Sequence, residues 1–200
     1  IGVDQHYAYI TKQCSRVALA DGWGGSMVAT EIADILFGTP SPVAIETNMG
    51  VLKEDQVNII VHGHEPNLFE SMVASVAEPT LIQAAKDAGA KGLNLVGMCC
   101  SGLEMFSRHG TPHAGNFMST ETILVTGAVD AMVVDVQCIK QALAQVAECY
   151  KTQLITTNPR ARIEGAKHIE FHENTPKECT DEIVIQAIGR FKNRGVEVEI

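Results

Sequence analysis

The most informative segment of this sequence is Leu93-Asn94-Leu95-Val96-Gly97-Met98-Cys99-Cys100-Ser101-Gly102. Its first four residues have the length and composition of a buried β-strand. The predicted strand leads into adjacent cysteines and a turn of small residues, so it places thiols at a strand end. In open α/β sheets, ligands bind at the carboxyl ends of the strands. The segment therefore predicts a functional site at one edge of a sheet.

Two other segments have the same organisation. Residues 57–61 are apolar except for Asn58 and lead into His62-Gly63-His64, and residues 131–136 lead into Gln137 and Cys138. Parallel strands connected by helices would bring these strand ends to the same edge of one sheet. Imidazole and thiolate ligands together favour soft transition metals. The predicted ligands are His64, Cys100 and Cys138.

The N-terminal part of the chain is predicted to be helical. Apolar residues recur at helical spacing over residues 7–37, but Gly22-Trp23-Gly24-Gly25 interrupts them, which predicts two helices with a break or kink. No strand precedes these glycines, so they are not a dinucleotide-binding motif. Gly38-Thr39-Pro40-Ser41-Pro42 marks a boundary, and we expect two domains, residues 1–38 and residues 39–200.

The second domain is predicted to be an α/β domain, a Rossmann-like parallel sheet with helices on both faces, because apolar runs alternate with helical patterns. Strands are predicted at residues 43–47, 57–61, 93–96, 131–136, 152–156 and 168–171. A first helix is predicted from Pro66 until Pro79 interrupts the pattern. Further helices are predicted at residues 81–88, 101–108, 119–126 and 180–192, and one more follows the strand at residues 131–136 and ends at about residue 148. Residues 110–115 are predicted to form a loop.

Composition excludes several classes of function. The net charge of −9 argues against nucleic acid or an anionic membrane as a partner. No apolar run is long enough for a membrane-spanning helix, and the N-terminus, which lacks Met, resembles neither a signal peptide nor a natural start. We expect a piece of a longer cytoplasmic protein whose six cysteines are reduced rather than paired in disulfides.

The residues alone leave the type of metal site open. Three ligands would suffice for one zinc ion with an open position, or they would form part of a cage that another segment completes. His62 would orient a ligand or move protons. Asp21 could face the site from outside the sheet, although an ordinary helix acid fits as well. Of the other residues, Cys14, Cys149 and Cys179 are interpreted as structural. His109 and His113 are interpreted as solvated loop histidines, with a proton relay as the alternative.

Several segments resemble nickel–iron carbon monoxide dehydrogenase, the anaerobic enzyme, in family order. They are residues 19–26, residues 37–40, residues 57–66 with His62-Gly63-His64-Glu65-Pro66, residues 97–102, residues 108–112 with Arg108-His109-Gly110-Thr111-Pro112, and residues 131–138. The resemblance implies a homodimer whose subunit has a helical domain followed by two Rossmann-like domains. Residues 1–38 resemble the end of the helical domain, and residues 39–200 resemble the middle Rossmann-like domain.

The resemblance also implies a cofactor and roles for individual residues. The family's centre is a nickel–iron–sulfur cluster, whose outlying iron would be held by His64 and Cys100 and whose core iron by Cys138. His62 and Cys99 would support these ligands. The remaining ligands and further 4Fe-4S clusters would lie outside this chain, so the isolated chain is predicted to be inactive.

The implied reaction converts CO and water reversibly into CO2, two protons and two electrons. Asp21 would steer water or its proton, a ferredoxin-like protein would accept the electrons, and an acetyl-CoA synthase is a further candidate partner. Two alternatives stay open. One is the related hybrid-cluster protein, a hydroxylamine reductase, and the other is a non-catalytic scaffold or interaction domain.

Overall fold

The computed structural model describes residues 2–194, and Ile1 and residues 195–200 lie outside the described range. The chain divides into two compact units, residues 1–40 and residues 41–200. Within residues 2–194, no helix combines the length and the apolar character that crossing a bilayer requires.

The first unit is a continuous helical segment. Helix α1 (Tyr7–Leu19) continues through a π-helical stretch, Ala20–Ser26, into helix α2 (Met27–Phe37). The two predicted helices are therefore present, but no break in helical structure separates them at Gly22-Trp23-Gly24-Gly25. The glycines are contained in wider π-helical turns instead, a feature that is frequent at functional sites. The helix ends at Gly38, whose φ of +86° favours a residue without a Cβ atom.

The second unit contains a six-stranded parallel sheet. Its strands are β1 (Val57–His62), β2 (Leu93–Met98), β3 (His113–Gly115), β4 (Ala131–Val134), β5 (Gln153–Thr156) and β6 (Lys167–His168). Their spatial order is β3-β2-β1-β4-β5-β6, and every pair is parallel. This is the order of doubly wound α/β sheets.

Helices cover both faces of the sheet. They are α3 (Pro66–Val76), α4 (Pro79–Asp87), α5 (Cys99–His109), α6 (Thr120–Val125), α7 (Leu143–Cys149) and α8 (Pro176–Phe191). Successive strand residues face opposite sides. Ile59 therefore packs with residues of α3, α4 and α8, whereas Ile60 packs with residues of α6 and α7. The predicted α/β class, with helices on both faces and a preceding helical segment, is confirmed.

Several local predictions are wrong. Residues 43–47 are not a strand, and the predicted loop at residues 110–115 contains the edge strand β3. Strand β4 ends at Val134, and the side chain of the next residue, Asp135, accepts the backbone N–H of Val136. The helix after β4 begins only at Leu143, and β6 is a two-residue strand that ends at His168.

A buried polar network closes the amino edge of the sheet, opposite the strand ends discussed below. Asp130 is 2% exposed and accepts a hydrogen bond from the backbone N–H of Asn58 at 2.7 Å. The guanidinium of Arg194 binds both oxygens of Asp130 and also donates to the carbonyl oxygens of Glu54 and Gln56. Burial raises the pKa of Asp130, and Arg194 opposes that shift. Arg194 therefore compensates a buried carboxylate.

Candidate metal centre

The candidate site lies at the carboxyl ends of three neighbouring strands, β2, β1 and β4. His62 is the last residue of β1, Cys99 directly follows β2, and Asp135 directly follows β4. Pairing places His62 beside Met98 on one side and beside Val134 on the other. The three segments singled out in the sequence therefore end side by side.

The turn that carries His64 is built around Asp135. The backbone N–H of His64 donates to Asp135 Oδ1 at 2.7 Å, and that of Glu65 donates to Oδ2 at 3.2 Å. Between the histidines, Gly63 has a φ of +145°, and a Cβ atom there would lie 1.7 Å from Asp135 Oδ1. Only glycine leaves room for this carboxylate. Burial raises the pKa of Asp135 to about 6, and the hydrogen bonds from Val136, His64 and Glu65 oppose that shift.

The imidazole of His64 has a defined tautomer. Its Nδ1 atom lies 3.3 Å from the carbonyl oxygen of Val136, which can only accept a hydrogen bond. Nδ1 therefore carries the proton, and Nε2 keeps its lone pair. Histidines that bind metals commonly donate their other ring N–H to a backbone carbonyl in this way. The hydrogen bonding of His64 thus suits a metal ligand, and the turn at Gly63 separates it from the fully buried His62.

The cysteine pair opens helix α5. Cys99 is buried and has a φ of +55°, whereas Cys100 is exposed. The turn packs closely on β2, since a Cβ atom on Gly97 would lie 2.3 Å from the Cα atom of Gly102. The backbone N–H of Ser101 donates to the carbonyl oxygen of Gly63 at 2.9 Å, which joins the cysteine turn to the histidine turn.

The thiols of three cysteines interact with one another. Burial and then the neighbouring thiols of Cys138 and Cys100 raise the pKa of Cys99 to about 11. Burial, Cys138 and Glu104 raise the pKa of Cys100 as well. Without a bound cation, Cys99 and Cys100 therefore favour the protonated thiol. A bound cation would reverse the balance, because coordination deprotonates a thiol.

The loop after β4 carries Cys138 in an unusual conformation. Gln137 and Cys138 have φ values of +59° and +52°, in the left-handed region that residues with side chains rarely adopt. The carbonyl oxygen of Cys138 accepts a hydrogen bond from His62 Nε2 at 2.5 Å. Burial lowers the pKa of His62, which keeps the imidazole neutral, and the Cys138 carbonyl opposes that shift.

The structure brings four of the five candidate residues, His62, His64, Cys100 and Cys138, to one edge of the second unit. The fifth, Asp21, lies in the π-helical stretch of the first unit. Among residues 2–194, no group of three or more His, Cys, Asp or Glu side chains could hold a metal ion by itself. The donors fit an iron–sulfur-type group in kind, because they combine thiols with an imidazole whose Nε2 lone pair is free.

The sequence interpretation missed two residues near the site. Asp135 was counted in a strand, although a carboxylate directly after an apolar run, opposite a glycine turn, is a signal that could have identified it. His113 was interpreted as a solvated loop histidine, but it is 4% exposed, and its Nε2 atom lies 3.2 Å from the carbonyl oxygen of Cys99. His109 is partly exposed, and its Nε2 atom lies 2.7 Å from Oε2 of Glu70, a residue of α3.

Comparison with known proteins identifies the family. The fold is a parallel α/β sheet with imidazole and thiol donors at its carboxyl edge. A model of the Prismane/CO dehydrogenase family matches residues 1–200. Carbon monoxide dehydrogenase 1 of Methanosarcina mazei is 50% identical over 98% of this chain and 31% of its own length. The carbon monoxide dehydrogenase/acetyl-CoA synthase subunit beta of Moorella thermoacetica is 48% identical over 97% of this chain and 28% of its own length.

Solved structures agree with the sequence comparison. A nickel-free crystal structure of carbon monoxide dehydrogenase from Thermococcus sp. AM4 superposes with a TM-score of 0.92 at 49% identity, covering 98% of this chain and 31% of that chain. The chain therefore belongs to the Prismane/CO dehydrogenase family. It spans about a third of the length of the relatives that it matches.

Proposed function

We propose that this chain contributes part of the metal centre of a nickel-dependent carbon monoxide dehydrogenase. The observation that carries the proposal is the convergence of His64, Cys100 and Cys138 at the adjoining ends of β1, β2 and β4. Relatives that share about half of its residues are named carbon monoxide dehydrogenases, which supports the same assignment.

The resemblance supplies the proposed ligands, and the thiol and imidazole donors at the strand ends are of the chemical type that such a cluster binds. His64 and Cys100 would hold the outlying iron of a nickel–iron–sulfur cluster, and Cys138 would hold a core iron. When bound, this group supplies the redox chemistry that interconverts CO and water with CO2, two protons and two electrons. The remaining ligands and further 4Fe-4S clusters come from polypeptide beyond these residues, so the 200-residue chain alone is inactive.

The chain's own residues fix the donors in place. Asp135 binds the His64 turn, and the Val136 carbonyl sets the tautomer that leaves His64 Nε2 able to bind iron. The Ser101–Gly63 hydrogen bond keeps the cysteine turn beside the histidine turn. Holding the donors before the metal arrives reduces the cost of ordering them when it binds. The resemblance alone assigns Asp21 the role of a carboxylate that orients water or receives its proton.

The remaining features of the parent protein are proposed from the resemblance. Residues 1–38 form the end of its helical domain and residues 39–200 form its middle Rossmann-like domain. The parent is a cytoplasmic homodimer that passes electrons to a ferredoxin-like acceptor. An acetyl-CoA synthase is a candidate partner, because one relative is named as part of such an enzyme and another matching structure is that of an acetyl-CoA synthase/carbon monoxide dehydrogenase.

The test uses a full-length subunit that carries this sequence, produced without oxygen and with nickel. We expect nickel and iron by mass spectrometry and CO oxidation with a viologen dye. His64→Ala and Cys100→Ala should lose iron and abolish CO oxidation, whereas Cys149→Ala, at an exposed cysteine on α7, should change neither. Full activity and metal content in His64→Ala would refute the ligand assignment. Hydroxylamine reduction by a nickel-free protein would favour the hybrid-cluster alternative.

A further inference from the structure

Two cysteines of the site adopt a backbone conformation that is unfavourable for them. Cys99 has a φ of +55° and Cys138 a φ of +52°. Residues with side chains persist in this left-handed region only where their surroundings hold them, and such residues cluster at functional sites. The structure must therefore contain groups that hold both turns.

Each of these turns is held by a buried histidine. His113 Nε2 lies 3.2 Å from the carbonyl oxygen of Cys99, and His62 Nε2 lies 2.5 Å from that of Cys138. The two histidines are 4% and 0% exposed. A carbonyl oxygen can only accept, so each imidazole donates from Nε2.

The other ring nitrogen supports this assignment for His113 and has no partner in His62. His113 Nδ1 lies 3.1 Å from Thr47 Oγ1, whose hydroxyl can donate to it, so one neutral tautomer satisfies both contacts. His62 Nδ1 is buried and has no hydrogen-bond partner among residues 2–194. A buried polar atom without a partner is costly, so the orientation of His62 is maintained at that cost.

Packing leaves these imidazoles little freedom. His62 lies in β1, between β2 and β4, and is completely buried. His113 lies against the first turn of α5, where a Cβ atom on Gly102 would be 2.6 Å from His113 Cδ2. The glycine thus makes room for the ring that binds the Cys99 carbonyl.

We propose that His62 and His113 are positioning residues that hold the carbonyl groups of Cys138 and Cys99 and thereby fix the two left-handed turns. The Cys99 turn sets the direction in which the Cys100 thiol leaves helix α5. The His62 contact does the same for the Cys138 thiol. The proposal rests on the proposed function only for the identity of the group that these thiols bind.

Thiol labelling of the complete 200-residue chain tests the proposal without any metal. The reduced, metal-free protein reacts with N-ethylmaleimide, and fragment mass spectrometry gives the labelling rate of each cysteine. The variants are His113→Leu and His62→Leu, which remove the donor, and His113→Gln and His62→Gln, which keep an N–H group near the position of Nε2. His172→Leu is the matched control, because its side chain is 62% exposed and lies beside Glu170 rather than a cysteine.

We expect His113→Leu to accelerate labelling of Cys99 about fivefold, the effect of losing one ordinary hydrogen bond. His62→Leu should accelerate labelling of Cys138 by a similar factor. Each Gln variant should label near the wild-type rate. The buried Cys179 reports unfolding, and the exposed Cys14 serves as an internal reference.

Two results would overturn the proposal while Cys179 stays protected: unchanged rates in the Leu variants, or Gln variants that label as fast as the Leu variants. If a Leu variant unfolds, Cys179 will be labelled as well as Cys99 or Cys138. The test of the proposal then rests on the Gln variant at the same position. Wild-type rates in the Gln variant support the proposal, and a faster Cys99 or Cys138 refutes it. These measurements involve neither cluster nor CO, so their failure is separate from failure of the proposed function.

Discussion

Asp135 Oδ1 accepts a hydrogen bond at 2.7 Å from the backbone N–H of His64, a residue 71 positions earlier in the chain. The same carboxylate binds the N–H groups of Glu65 and Val136. One side chain at the end of β4 thus organises the turn after β1. The direction in which His64 leaves the sheet depends on a residue that directly follows another strand.

Replacing Asp135 should loosen the His64 turn. Asp135→Ala leaves three backbone N–H groups without their acceptor, and we expect a loss of about 1–3 kcal/mol in the free energy of unfolding. Urea unfolding followed by circular dichroism measures that loss. Amide hydrogen exchange should show faster exchange at His64 and Glu65. Asp87→Ala, which removes a surface carboxylate bound by Gln83, is the control. Equal exchange in both variants would contradict the role of Asp135.

A side chain at Gly63 should be strongly destabilising. The Cβ atom of alanine would lie 1.7 Å from Asp135 Oδ1, and the φ of +145° adds backbone strain. We expect Gly63→Ala to lower the free energy of unfolding by about 3 kcal/mol or more.

Gly189→Ala is the matched control for Gly63. Gly189 lies within helix α8, and a Cβ atom there would meet nothing within 4 Å. This substitution should raise the free energy of unfolding by about 0.5–1 kcal/mol, because alanine favours the helix. Urea unfolding of both variants should give opposite signs, and a loss of equal size in both would refute the steric argument.

Removing Arg194 should leave the buried carboxylate of Asp130 without its cationic partner. Its side chain is 13% exposed and binds Asp130, which is 2% exposed. We expect Arg194→Ala to cost about 3 kcal/mol in the free energy of unfolding. Arg162→Ala is the comparison, because its contact with Glu170 is 3.5 Å long and exposed, and the expected loss is under about 0.5 kcal/mol. Similar losses in the two variants would show that burial of the pair contributes nothing.

The buried thiol of Cys179 should make stability depend on alkaline pH. Burial, followed by the charge of Glu182, raises its pKa from 9.0 to about 11. The folded state therefore keeps a proton that the unfolded state releases, so the contribution is complete below pH 9 and is lost as the pH rises to about 11. A shift of this size corresponds to about 2–3 kcal/mol.

The measurement compares wild type with Cys179→Ala across this pH range. At neutral pH the variant should be less stable, because it loses buried packing. Its disadvantage should shrink or reverse by about pH 10.5, since alanine does not ionise. Cys149→Ala, at an exposed cysteine, should follow the wild-type pH profile. A constant difference between wild type and Cys179→Ala at every pH would contradict the linkage.

Part of this fold could be predicted from local patterns. The apolar runs at residues 57–61 and 93–96 are long enough to identify β1 and β2, and the small residues after Val96 predicted the close turn. The edge strand β3 has only three residues, and its neighbour β2 defines it. A helical pattern interrupted by glycines does not distinguish a break or kink from π-helical turns, and the structure has π-helical turns at residues 20–26.

The sequence by itself determined the α/β class, the three strand ends that carry His64, Cys100 and Cys138, and the family, because apolar periodicity and motifs are local properties of the chain. Only the tertiary structure decided that Asp135 holds the His64 turn and that His62 and His113 bind cysteine carbonyls. These contacts join residues that are far apart in sequence. Their existence depends on the order of the strands, which hydrophobic burial on both faces of the sheet selects.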